Sequence, residues 1–121
     1  MDKVSIIIRC KNDYRIFDTI KSIDYPSEVI VVLVPNDEIK KELLKLGVVI
    51  IDATDNNTGN SNNLGLINAS NNYCIIMDSD TIFGKGYIKK CFDALKEYDI
   101  VRGKIIYKYS VHIFASRIIA K

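Results

Sequence analysis

The chain has 121 residues, enough for one domain with one ordinary core. Hydrophobic residues make up 48% and charged residues 26%, a globular mixture. The formal net charge of +2 comes from scattered Lys and Arg with no basic stripe among aromatics, which argues against a nucleic-acid partner.

Val4 to Ile8 form a β-branched run of the kind expected for a strand covered on both faces. Ile16, Ile20 and Ile23 recur at helical spacing, and Tyr25-Pro26 closes that helix. Val29 to Val34 predicts a second strand. Asn36 is placed to cap the next helix, with Asp37 and Glu38 in its first turn, Ile39, Leu43 and Leu46 as its inner stripe, and Gly47 as its stop. Val48 to Ile51 predicts a third strand. An asparagine-rich loop follows, then a helix from about Asn60 to Ser70 and a buried fourth strand from Cys74 to Met77.

Ile88, Cys91, Phe92 and Leu95 pattern a further helix, and Ile100-Val101 begins another strand. Beyond it the pattern is ambiguous, and a strand to about Tyr107 followed by a helix from about Ser110 is the preferred reading. The alternation of strand and helix predicts an α/β fold, a mostly parallel sheet flanked by helices. Ligands of such sheets bind outside the carboxyl ends of the strands. No stretch approaches the ~20 apolar residues needed to span a bilayer. Met1-Asp2-Lys3 leads directly into the first strand, so no secretory leader is expected and the chain is assigned to the cytoplasm. Cys10, Cys74 and Cys91 are odd in number and far apart, as expected of reduced thiols. With no CxxC and only His112 as an imidazole, a zinc site is not expected.

The chemistry concentrates where the fourth strand ends, at Asp78-Ser79-Asp80. In extended backbone, residues two apart point to one side, so both carboxylates can face one point. Two such groups repel unless a proton or cation lies between them, and Mg²⁺ or Mn²⁺ suits oxygen ligands while leaving positions for phosphate oxygens. The bland reading is a solvated acidic turn. Each neighbouring feature has its own bland reading as well. Asn63 serves as a turn or helix-start residue, Gly59 and Gly65 as turn or close-packing glycines, and Arg9 and Lys11 as solvated charges.

The order of these features resembles family 2 glycosyltransferases, inverting enzymes with the GT-A fold. "VSIIIRCKND" is similar to that family's opening strand and the polar segment that lines its nucleotide pocket. "GNSNNLGLINASNNYCIIMDSD" is similar to its next signature, with Ser61, Asn62, Asn63 and Gly65 on its small-residue, Arg, Asn and Gly positions, Ala69 on its alanine and Asp78 and Asp80 on the D-x-D. The resemblance runs from about Val4 to Gly103. "YDIVRGKIIY" and "ASRIIAK" also look faintly like the polyprenyl-phosphate sugar transferases within the family.

The resemblance implies a Rossmann-like domain that binds a nucleoside-diphosphate sugar and transfers the sugar to an acceptor such as a saccharide, a protein or a lipid phosphate. A lipid acceptor would bring the chain to the membrane periphery. It implies that Asp80, through Mn²⁺ or Mg²⁺, holds the diphosphate, with Asp78 beside the ribose or sugar. Arg9, Lys11 and Asn12 would flank the base and ribose, and Asn63 would brace the loop over the sugar.

Three departures qualify this. Leu33 to Asp37 lacks the aspartate pair that ends the family's second strand, so base recognition would fall to Asn36 or Asp37. Asn62 stands where the family often has Arg, which removes a cation. No carboxylate side chain follows Asp99, so no general base can be named, and residues 1–121 read as one domain whose acceptor-side half is missing. The alternative is a non-catalytic interaction module that self-associates through the apolar segment 105–120. Nucleotidyl transfer would expect a glycine-rich loop after the first strand, which "RCKNDYR" lacks, and no G-x-G-x-x-G supports a dinucleotide enzyme.

Overall fold

The computed structural model describes residues 3–103. The segment 105–120, the strand and helix expected within it, and His112 lie outside the described residues. Among the described residues four strands and four helices alternate: β1 (Val4–Cys10), α1 (Ile16–Lys21), β2 (Ser27–Leu33), α2 (Asp37–Leu44), β3 (Val49–Asp52), α3 (Thr58–Ile67), β4 (Cys74–Asp78) and α4 (Tyr87–Leu95). The strands form one parallel sheet in the order β3-β2-β1-β4. Parallel neighbours require crossovers, and the helical segments supply them.

β1 lies between two neighbours and is covered on both faces, as its unbroken β-branched run predicts. Val4, Ile6, Ile8 and Cys10 face one side, where Ile16 of α1, Ile39 and Leu43 of α2, and Ile88 and Phe92 of α4 complete the main core. Ile7 faces the other side with Ile30 and Val32, covered by Leu64 of α3 and by Ala69. Removing each such side chain from water is worth roughly 2–3 kcal/mol.

Local chemistry starts and stops the helices. The Asn36 side chain accepts from the Ile39 N–H at 3.0 Å and caps α2, and Gly47 at φ +70° follows it in the left-handed conformation that favours glycine. α2 ends at Leu44, two residues sooner than its apolar spacing suggests, so Leu46 falls outside the inner stripe and is 44% exposed. α3 is rich in Asn and Gly and has little intrinsic helix propensity. Asn57 caps it at 3.0 Å, and packing against the sheet does the rest. Gly65 is required there, because a Cβ would stand 2.3 Å from Cγ2 of Ile7.

Two expectations need correction. β4 is not a buried strand: it pairs only with β1 among the described residues, and Ile76 is 44% exposed. Residues 100–103 form no strand, and Ile100 is exposed. Cys10, Cys74 and Cys91 are free thiols. No helix among the described residues is long and apolar enough to cross a membrane.

Candidate functional site

A cavity of about 340 Å³ opens at the carboxyl edge of the sheet. β1 and the turn after it give Arg9, Cys10, Lys11 and Asp13, and β2 and the residue after it give Val32 and Val34. The segment between β3 and α3 gives Asp55, Asn56 and Thr58, α3 gives Ser61, and the end of β4 gives Asp78, Ser79 and Asp80. Arg9, Lys11, Asp78 and Asp80 are thus brought together as expected. Asn12 and Asn63 do not line the cavity. Asn12 sits at φ +48° and accepts from the Asn36 amide at 2.9 Å, while Asn63 is exposed on α3. Asn36 is occupied by its cap and Asp37 is exposed in α2, so neither lines the wall where a base-recognising acid was sought.

Parallel register sets Arg9 of β1 beside Asp78 of β4. The Arg9 guanidinium forms an ion pair with Asp78, and its other terminal nitrogen donates to Asn62 Oδ1 at 3.0 Å. Asn62 supplies no cation of its own, but one reaches it here from β1. Asp78 remains 60% exposed, and the Arg9 side chain 26%.

The turn carrying the two aspartates is gripped through its middle residue. The buried Ser79 donates its hydroxyl to Asp13 at 2.8 Å, and its carbonyl accepts from the Thr19 hydroxyl of α1 at 2.9 Å. Arg15 binds the other side of Asp13 through Nε at 2.8 Å. Arg15 first, and Ser79 with it, hold the Asp13 carboxyl below the usual carboxylate range against the opposing effect of burial. Reading the residues in sequence missed Asp13, Ser79 and Thr19. The one available signal was that a small hydroxyl between two aspartates can point inward while they point out.

Asp80 is half exposed, accepts from the Thr81 hydroxyl at 3.3 Å and lies 4.0 Å from Arg15. A hard divalent ion is commonly bound through one or two carboxylates plus substrate phosphates. Asp80 fits that role, whereas Asp78 is committed to Arg9. Among the described residues no three Asp, Glu, His or Cys side chains gather into a complete protein cage. Burial pushes the Cys10 thiol up, so it lines the cavity as a protonated group and not as a thiolate nucleophile.

A parallel four-stranded sheet flanked by helices, as the described residues build it, is the α/β architecture of the GT-A fold. The sequence profile of Glycosyl transferase family 2 matches residues 5–117, and the chain belongs to that family. Two crystal structures share the fold. S. aureus TarS 1–349 has a TM-score of 0.65 at 21% identity over 88% of this chain and 38% of that one. S. aureus TarS has a TM-score of 0.63 at 22% identity over 88% of this chain and 23% of that one. This chain therefore spans well under half the length of either structure. The comparison with curated proteins finds no match.

Proposed function

We propose that this chain is the donor-binding part of a glycosyltransferase that receives a nucleoside-diphosphate sugar in the cavity at the carboxyl edge of the sheet. The observation that carries the reading is the convergence there of Arg9 and Lys11 with the gripped Asp78-Ser79-Asp80 turn. A diphosphate entering this space meets two cations on the β1 side. Asp80 would hold Mg²⁺ or Mn²⁺, which would supply positive charge for the departing nucleoside diphosphate.

The chain's own residues supply position and charge. Asp13 and Thr19 fix the turn, so the exposed Asp80 carboxylate is presented without first having to be ordered. Arg9 and Lys11 attract the anionic donor. Transfer to a hydroxyl or a lipid phosphate with inversion requires a base beside the acceptor, which is sought outside the residues gathered here.

Calorimetric titration with UDP- and GDP-sugars, with and without Mn²⁺, tests the reading. Binding is expected to strengthen with Mn²⁺. Asp80→Ala should weaken it by at least the ~10-fold that even supporting residues of a metal site contribute. If neither donor binds in either condition, the reading is wrong.

A further inference from the structure

Every carboxylate facing an incoming diphosphate raises the cost of binding it, and the cavity holds Asp13, Asp55, Asp78 and Asp80. Asp13 is already paired with Arg15. Asp55 accepts from the Asn57 N–H at 2.8 Å and from the Asn60 amide at 2.9 Å, so its oxygens are turned to the α3 start. Asp78 and Asp80 remain, and they differ. Asp78 sits in register with Arg9 and is ion-paired to it, whereas Asp80 reaches Arg15 only at 4.0 Å.

Arg9 is well built for a fixed role. A guanidinium stays charged at any relevant pH and carries five N–H donors in a planar fork. Asn62 orients that plane from α3 at 3.0 Å and Asp78 takes a hydrogen from the second terminal nitrogen, which leaves three N–H donors of the fork uncommitted in these contacts. The side chain lines the cavity with Lys11 two residues further on.

We propose that Arg9 is a built-in counter-cation of the donor site: it neutralises Asp78 and faces the diphosphate with its spare donors, so that a divalent ion need engage only Asp80. This rests on the donor-site reading above and adds a consequence that reading lacks. The metal dependence of nucleotide binding is set by Arg9. With Arg9 present, chelating the metal leaves one uncompensated carboxylate before the diphosphate. Without it, chelation leaves two.

The test measures the affinity of UDP and of GDP in Mn²⁺ and in EDTA, for the full 121-residue chain and three variants, each checked for folding by circular dichroism. The readout is the ratio of the two affinities, which a purely structural role for Arg9 would not move. Arg9→Gln removes the charge and should widen the ratio about tenfold, the effect of one partly screened charge at close range. Arg9→Lys keeps the charge without the fork and should fall between wild type and Arg9→Gln. The double variant Arg9→Gln/Asn62→Arg returns a guanidinium from α3 and should bring the ratio to within about threefold of wild type. An unchanged ratio in Arg9→Gln overturns the proposal, as does a double variant no different from Arg9→Gln alone. Failure of the wild-type chain to bind either nucleotide overturns the donor-site reading itself, and this inference with it.

Discussion

Both ends of the sheet carry a carboxylate that reaches between strands, and the two are handled in opposite ways. At the amino end, Glu28 of β2 accepts from the Ser5 hydroxyl at 2.9 Å and from the backbone N–H and hydroxyl of Ser70, each at 2.8 Å. The Asn71 amide then donates to Ser5 at 3.0 Å, which closes the network. At the carboxyl end, Asp78 is 60% exposed and shares a guanidinium with a neutral amide, and Asp80 stands beyond it with spare acceptor capacity. A closed polar network fixes a fold; an open one on a rigid floor leaves hydrogen-bonding capacity for a ligand.

That contrast can be broken at its hinge. α3 reaches both ends, placing Asn62 beside Arg9 and leading into Ser70, and its distance from the sheet is set by Gly65. Gly65→Ala forces a methyl onto the branched side chain of the fully buried Ile7. Urea titration should show a loss of about 2–3 kcal/mol. Part of it, at least about 1 kcal/mol, should be recovered as coupling in a double-mutant cycle with Ile7→Ala.

Glu28→Ala sharpens the comparison from the amino end. It leaves the buried Ser5 hydroxyl and the Ser70 N–H without their acceptor, and should cost about 2 kcal/mol in the same titration. Nucleotide affinity measured by calorimetry should be unchanged. A parallel loss of affinity would show that the two ends are not separable.

The smallest effect is in the pH response. The Ser70 backbone N–H first, then the Ser70 and Ser5 hydroxyls, hold the Glu28 carboxyl below its usual range, and Arg15 does the same for Asp13. A carboxyl lowered in the folded state stabilises above its unfolded pKa, about 4, and that contribution is lost as pH falls through the folded value. Urea midpoints should therefore be level from about pH 5 to 6 and decline below about pH 4. The decline should be shallower in Glu28→Gln, in which this position no longer titrates.

Much of this architecture is legible in the sequence, because β-branched runs and helical stripes are local signals. Asn36 marks the start of α2 as read, and Gly47 follows its end. What escaped was relational. An apolar run reads the same in the middle of a sheet and at its edge, so β4 was expected to be buried, although Ile76 faces solvent. Leu46 keeps the helical period although the helix has ended two residues before it. At the site, the aspartates announce themselves by spacing. Their partners do not, since Arg9 and Asn62 are separated by 53 positions and Asp13 and Ser79 by 66. Only strand register and the packing of α3 bring these pairs together.

Thr19 holds the carbonyl of Ser79 from within α1, and Ser22, at the end of that helix, accepts the Phe83 N–H at 3.0 Å. The acidic turn is thus fastened at two points to one short helix. Any rearrangement that swings Asp80 must either carry this helix along or unfasten both attachments, which ties the mobility of the cavity's edge to the firmness of the core beneath it.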